Sequence, residues 1–244
     1  MSKPVVYLFL GCKGSDQFRV LADLIEFGTE KEERSVLYHF AGDAVDVESD
    51  FQVKHRETKV ATWKIEDGAL DIEIDESLDL VFLVADGLSD PTDLVEAFHG
   101  WLPESGCELG RVVTVLNCDL AVRQKVAFEW FECCIHFSDI VLLARREKVA
   151  NKEMKAFLDR FEEECYPCLW EYVKKGRVSN PSLVLDTQPR RITRIFDEPE
   201  YFDDEEEEEE LEEDIAGDVT KDRFLKRASG GRRALELPDI SEFL

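Results

Sequence analysis

The stretch FLGCKGSDQFRVL, residues 9–21, joins an apolar strand pattern to a helical one. The preceding run, Val5 to Leu10, is apolar throughout, as is typical of a strand that is buried on both faces. From about Ser15 to Phe27, apolar residues recur at helical spacing, and Gly28 follows as a residue that commonly ends a helix. The stretch therefore predicts a strand, a short glycine-containing loop and a helix in direct succession.

The same alternation continues along the chain to about residue 175. Further strands are predicted at 35–40, 80–85, 112–116 and 140–143. Helices are predicted between them, at about 122–136 and 151–174, and after Asp90, which suits a helix N-cap followed by proline at the first helical position. Strands that alternate with helices predict an α/β fold with a mostly parallel sheet flanked by helices.

One segment departs from this alternation. KVATWKIEDGALDIEI, residues 59–74, has two period-two runs around the turn pair Asp67-Gly68, which predicts a β-hairpin. Such a hairpin would add antiparallel strands at an edge or extend the main sheet.

Composition divides the chain into three predicted parts. We expect a domain at 1–196, an acidic linker at 197–214, in which 14 of 18 residues are acidic, and a C-terminal peptide at 215–244. The peptide is basic and then apolar. It is predicted either to bind a protein partner or to fold back on its own domain.

Net charge restricts the classes of partner. The chain carries a net charge of −25, and the part after residue 196 holds 19 acidic and 6 basic residues, so the first 196 residues are acidic as well. Phosphate backbones and anionic membranes would repel both parts, which argues against nucleic-acid and membrane binding. No apolar run reaches the roughly 18 residues of a membrane span, and seven cysteines show no disulfide framework, so a reduced, cytoplasmic protein is expected.

A second strand and loop carry a family resemblance. VFLVADGLSDP, residues 81–91, resembles the CobW-type P-loop GTPases and metallochaperones, in which a strand enters a helix through Gly-Leu-Ala-Asp-Pro. Three further segments occur in the family's order, namely FLGCKGS at 9–15, HFAGDAVDVE at 39–48 and HFSDIVLLARREKV at 136–149. The resemblance covers about residues 4–160. It implies a P-loop NTPase-like sheet and a site for GTP and Mg²⁺.

The phosphate loop departs from the family's pattern. Lys13 and Gly14 stand in the reverse of the family's Gly-Lys order, Ser15 matches the metal-binding hydroxyl, and Asp16 places a negative charge where phosphate would enter. Val84 replaces the family's glutamate and cannot bind Mg²⁺. We therefore expect a degenerate, non-catalytic protein that acts as a protein-binding or scaffold module without a cofactor.

The alternative is an active GTP hydrolase that uses GTP and Mg²⁺ in a shifted geometry. In the base-recognition segment, Ala144, Arg145 and Glu147 occupy the family's asparagine, lysine and aspartate positions. The residues that would bind the nucleotide are Gly11, Lys13, Gly14, Ser15, Asp86, Gly87, Arg145 and Glu147.

Metal and thiol chemistry have weaker signals. The family's Gly-Cys-x-Cys-Cys metal motif would fall at 49–80, where there is no cysteine, and we expect no metal. A soft-metal set of Cys133, His136, Cys165 and Cys168 is conceivable from residue types alone, but core packing explains these residues better. Cys12, beside Lys13, is either a reactive thiol or a small residue at a tight turn.

Overall fold

The computed structural model describes residues 3–55, 57–75, 77–197 and 217–244. These residues form two compact units. One comprises the chain up to Ile192 together with Leu237–Leu244, and the other is Thr193–Glu236. The acidic run at 197–214 lies outside the described residues, except for Asp197.

Within the described ranges, the first unit contains nine strands and seven α-helices. The strands are β1 Val5–Leu10, β2 Ser35–Phe40, β3 Thr58–Glu66, β4 Ala69–Asp71, β5 Leu80–Val84, β6 Glu108–Asn117, β7 Ile140–Ala144, β8 Leu169–Lys174 and β9 Arg177–Val178. The helices are α1 Gln17–Gly28, α2 Ala44–Asp50, α3 Pro91–Trp101, α4 Cys118–Arg123, α5 Phe128–His136, α6 Asn151–Glu163 and α7 Pro181–Val184. None of the described helices is long and apolar enough to cross a membrane.

These nine strands join one sheet, in the order β4-β3-β2-β5-β1-β6-β7-β8-β9. In this order, each neighbouring pair among the seven inner strands, β3-β2-β5-β1-β6-β7-β8, is parallel. The end pairs β3/β4 and β8/β9 are antiparallel. The predicted α/β class with an added hairpin is confirmed. β1 lies between β5 and β6, so the loops that follow these strands meet at one edge of the sheet.

The sheet is buried on both faces around β1. Tyr7 and Phe9 belong to a core cluster with Leu21 and Leu24 of α1. Val6, Leu8 and Leu10 point to the opposite face, because strand side chains alternate, and all three are fully buried. This double burial explains the continuous apolar runs of the parallel strands.

Two predicted helices are corrected by the structure. The predicted helix at 122–136 is divided between α4 and α5, and Gln124 lies outside both. Because both helices bury one face, the apolar periodicity continues across the break and does not reveal it. The predicted helix at 151–174 ends at Glu163. Cys165 then adopts a left-handed φ of 57°, and Leu169–Lys174 pairs in parallel with β7 as β8. Gly28 is still helical, and the C-cap of α1 is Thr29.

The C-terminal peptide contributes to both units. Leu237–Leu244 belongs to the sheet unit and forms a 3-10 turn at Ile240–Phe243, in which Ile240 is fully buried. Earlier residues belong to the unit Thr193–Glu236, where the Thr193 hydroxyl donates to Asp222 over 2.7 Å.

Candidate functional site

The loops after β1 and β5 are joined directly at the carboxyl edge of the sheet. The Ala85 amide donates to the Phe9 carbonyl over 2.9 Å, and the Lys13 amide donates to the Gly87 carbonyl over 2.9 Å. In open α/β sheets, ligands bind at the point where the strand order reverses, which here is the end of β1. These two loops therefore form the candidate site.

Three glycines set the backbone of these loops. Gly11, Gly14 and Gly87 have φ values of 135°, 80° and 70°, which disfavour residues with a side chain. A Cβ atom at Gly11 would lie 2.4 Å from the Val115 carbonyl oxygen, and one at Gly87 would lie 2.4 Å from the Lys13 nitrogen. The backbone of these loops thus favours glycine at all three positions, and it is packed tightly against its neighbours at Gly11 and Gly87.

The Lys13 side chain is bound to two aspartates. Its ammonium group lies 3.1 Å from Asp46 of α2 and 3.5 Å from Asp43, which precedes that helix. The hydrogen bond with Asp46 is the largest cause of a raised pKa for Lys13, which keeps the ammonium charged. Its charge is therefore neutralised within the protein.

Asp43 is the buried member of this group, at 4% exposure. Burial raises the pKa of its carboxyl, Lys13 opposes that rise, and the nearby Asp86 adds to it. Among the described residues, the Asp43 Oδ2 atom has no hydrogen-bond partner. A carboxylate held in this way repels any further negative charge brought to Lys13.

Arg145 lies across the phosphate loop. Its guanidinium contacts the Asp16 carboxylate at 2.8 Å and donates from Nε to the Gly14 carbonyl over 3.2 Å. Asp16 has a left-handed φ of 68° at the N-cap of α1 and makes no side-chain capping bond there. Burial raises the pKa of Asp16, and Arg145 opposes that rise. The second cation of the site is thus neutralised as well.

Ser15 and Gln17 are bonded inside the loop. The buried Ser15 hydroxyl donates to the Cys12 carbonyl over 2.5 Å, and the Gln17 side-chain amide donates to the Gly11 carbonyl over 3.1 Å. The hydroxyl that would hold Mg²⁺ in a phosphate loop is therefore committed to the backbone.

The Asp86 carboxylate accepts hydrogen bonds from residues of its own turn. Oδ1 accepts from the amides of Leu88 and Ser89, both over 3.1 Å, and Oδ2 accepts from the Ser89 hydroxyl over 2.6 Å. Of the eight candidate residues, Lys13, Gly14, Asp86 and Arg145 line one cleft, whereas Gly11, Ser15 and Gly87 do not line it. Glu147 is exposed on the 3-10 turn Arg146–Lys148 and does not line it either.

This cleft has a volume of about 150 Å³. Its charged lining consists of two cationic and five acidic side chains, which are Lys13, Arg145, Asp16, Asp43, Asp46, Asp50 and Asp86. The cleft is therefore net negative at the place where a triphosphate would need positive charge.

The structure does not bring the candidate metal-binding cysteines into a site. No three His, Cys, Asp or Glu side chains within the described ranges are grouped so that they could hold a metal ion. Cys133 and Cys168 are buried and Cys165 is exposed. Burial also raises the pKa of the Cys12 thiol to about 12, which disfavours the reactive-thiol interpretation.

The part played by Asp43 and Asp46 went unrecognised in the sequence. The segment GDAVD places them three residues apart, which puts both carboxylates on one side of a helical turn. That spacing was the available signal, but it could not show that Lys13 lies opposite them.

Comparison with known proteins identifies no family for this chain. No family model and no curated protein matches it. Among solved structures, it is similar to the Zn(II)-bound YjiA GTPase from E. coli, with a TM-score of 0.41 and 15% identity over 78% of this chain and 67% of that chain. A Zn(II)-bound triple mutant of the YjiA GTPase gives a TM-score of 0.45 with the same identity and coverage.

Proposed function

We propose that this chain is a degenerate CobW-like GTPase-fold protein that neither binds nor hydrolyses GTP and acts as a protein-binding module. The observation that carries the proposal is that both cations of the phosphate-loop cleft, Lys13 and Arg145, are paired with aspartates of the same chain. Lys13 is held by Asp43 and Asp46, and Arg145 is held by Asp16.

Electrostatics supports the loss of nucleotide binding. Charge-assisted hydrogen bonds contribute roughly 1.5–3 kcal/mol each, whereas micromolar affinity amounts to about −8 kcal/mol. A nucleotide would have to break the ion pairs of Lys13 and Arg145 and then enter a cleft in which aspartates outnumber cations. Losing two or three contacts leaves an affinity near millimolar or weaker.

The lack of a free metal ligand argues against hydrolysis in particular. Val84 stands where the resembled family has a metal-binding glutamate, and the Ser15 hydroxyl and the Asp86 carboxylate are bonded within their own loops. Phosphoryl transfer depends almost wholly on Mg²⁺ and cationic groups that stabilise the developing charge. These groups are either replaced or occupied here.

Calorimetry of the full chain with GTP and Mg²⁺ tests this part. We expect no saturable heat at high-micromolar nucleotide. Saturable binding that Lys13→Ala abolishes would overturn the proposal and establish the GTPase alternative. The conformations of Gly11, Gly14 and Gly87 favour that alternative, because they keep a phosphate-binding type of backbone.

The protein-binding part rests on the peptide 215–244. Its basic residues Lys226, Arg227 and Arg232 are exposed, and the peptide follows an acidic segment that would act as a tether. Deleting the whole peptide would also remove the buried Ile240 from the sheet unit, so charge reversal is the cleaner test.

Affinity capture from cells, quantified by mass spectrometry, compares three chains. We expect Lys226→Glu/Arg227→Glu/Arg232→Glu to lose the specific partners of the unaltered chain. A triple charge reversal at the exposed Lys3, Lys31 and Lys152 is the matched control and should retain them. Equal capture by all three chains would refute a role for the peptide.

A further inference from the structure

A second cleft lies beside α1 and adjoins the phosphate-loop cleft at Asp50, which lines both. It has a volume of about 470 Å³ and is formed by α1, the segment after α2 and the turn between β8 and β9. Clefts of about 300–1,000 Å³ are typical of small-molecule sites. This cleft is large enough for such a ligand.

The cleft displays positive charge on a strongly acidic chain. Its basic lining residues are Arg19, Lys54, His55, Lys175 and Arg177, and its acidic lining residues are Asp23, Glu26 and Asp50. With neutral histidine, cations outnumber acids by one, although the chain as a whole carries −25. The phosphate-loop cleft has the opposite balance.

Two of the three carboxylates are used in holding the walls together. Asp23 accepts from the Val178 amide over 3.0 Å and so joins β9 to α1. Glu26 accepts from the amides of Lys54 and His55 over 2.8 and 3.1 Å and so joins the segment after α2 to the same helix. Both side chains are under 10% exposed.

Two of the four cations of the cleft lie close to acidic residues of the described chain, and two do not. Arg19 contacts Asp50 at 2.9 Å, and Arg177 lies 4.0 Å from Asp23. Lys54 and Lys175 are exposed, and neither ammonium group makes an ion pair with any residue in the described ranges. Their full charge is available to a ligand that enters between the two walls.

The turn that carries Lys175 is held against α1. Gly176 has a φ of 75°, and a Cβ there would lie 2.3 Å from Cδ of Arg19, so the arginine stem runs directly over the glycine. This close approach fixes the turn relative to the helix. A backbone fixed in this way brings Lys175 to the cleft without ordering the turn on binding, which lowers the entropy cost of binding an anion.

We infer that this cleft binds a small anion bearing two or more phosphate groups, at a site separate from the phosphate loop. Lysines contributed by two different walls suit several phosphate groups better than one, because each ammonium group acts as a compact point charge. A long polyanion would meet the acidic remainder of the chain. A compact ligand interacts mainly with the cleft, because charges beyond about 8 Å are screened at physiological salt.

Calorimetry of the full chain with sodium tripolyphosphate, without Mg²⁺ and at about 0.15 M salt, tests the inference. We expect saturable one-site binding. Lys54→Glu/Lys175→Glu should weaken it by at least about tenfold, the loss expected when charge-assisted contacts become repulsive. Lys125→Glu/Lys152→Glu, which makes the same charge change at exposed residues outside this cleft, should alter it less than about twofold.

Four outcomes would overturn the inference. The first is the absence of saturable heat, and the second is equal weakening of binding by both double variants. The third is loss of binding in Lys13→Ala, which would assign the ligand to the phosphate loop. The fourth is citrate binding as tight as that of tripolyphosphate. Circular dichroism and thermal melts of each variant identify any loss that is due to misfolding.

Discussion

Gly87 lies directly against the backbone of Lys13. The Lys13 amide donates to the Gly87 carbonyl over 2.9 Å, and a Cβ on Gly87 would lie 2.4 Å from the Lys13 nitrogen and 2.8 Å from the Cys12 carbonyl carbon. The loop after β5 therefore braces the loop after β1 through backbone contact, which no side-chain rearrangement can relieve.

Replacing Gly87 should destabilise the protein more than replacing a glycine of the same conformation elsewhere. Gly106 has a φ of 71°, but a Cβ added to it would have no neighbouring atom within 4 Å. Gly106→Ala should cost about 1–2 kcal/mol from left-handed strain alone. Gly87→Ala should lower the free energy of unfolding by about 1–3 kcal/mol more than Gly106→Ala does, because the added Cβ would overpack against the Lys13 backbone. Urea unfolding measures both, and equal losses would contradict the contact.

A buried ion pair joins the starts of β6 and β7 to a later segment. Asp139 accepts from the amides of Val112 and Arg190 over 2.8 and 2.6 Å and contacts Arg191 at 3.1 Å. The two charged side chains are 0% and 6% exposed. Removing one partner leaves the other charge buried and uncompensated.

Asp139→Ala should therefore lower the free energy of unfolding by about 3–5 kcal/mol. The matched control is Asp159→Ala on α6, whose pair with Lys155 is exposed to solvent and should contribute less than about 1 kcal/mol. Chemical denaturation compares the two variants. A loss at Asp139 no larger than that at Asp159 would show that the buried pair is not a main stabilising contact.

The acidic phosphate-loop cleft should make stability depend on pH. Burial raises the pKa of Asp43, so the folded protein holds that proton to a higher pH than the unfolded chain does. The resulting stability is fully present below the unfolded pKa and is lost as pH rises through the folded pKa. Asp43→Asn removes this titration and should gain stability relative to the unaltered chain as pH rises from about 3 to about 7.

Unfolding midpoints across that range provide the measurement. Asp46→Asn is the control, because it removes the other partner of Lys13 and keeps the buried carboxyl. Its pH dependence should follow that of the unaltered chain. A stability difference between Asp43→Asn and the unaltered chain that stays constant with pH would contradict the assignment.

Thiol labelling should distinguish one cysteine from the other six. Cys165 is exposed, whereas the remaining cysteines are buried. Burial raises the pKa values of Cys12, Cys118 and Cys168 to about 12, which leaves little reactive thiolate. Iodoacetamide treatment of the native protein followed by mass spectrometry should modify Cys165 alone. Rapid modification of Cys12 would restore the reactive-thiol interpretation.

Local patterns predicted the parts of the fold that depend on neighbours in the chain. The strands Val5–Leu10 and Ser35–Phe40 have the predicted bounds, because continuous apolar runs suit strands that are covered on both faces. Asp90 caps α3 by accepting from the Thr92 amide, and Asp67-Gly68 forms the hairpin turn with φ values of 51° and 81°. The cap and the turn rest on interactions within a few residues, and the two strands are predicted by runs of mostly apolar residues.

Contacts between distant segments settled the rest. Leu169–Lys174 became a strand because β7 offers it a parallel edge, a partner that helical periodicity cannot reveal. The charge of the candidate site likewise depends on ion pairs far apart in the chain, such as Lys13 with Asp43 and Arg145 with Asp16. Residue types predicted that Lys13 and Gly14 stand in the reverse of the resembled family's order. Packing of α2 and of the loop after β7 against the loop after β1 placed Asp43 and Asp46 beside Lys13 and placed Arg145 beside Asp16. Such pairs form between whatever opposite charges the fold brings within reach.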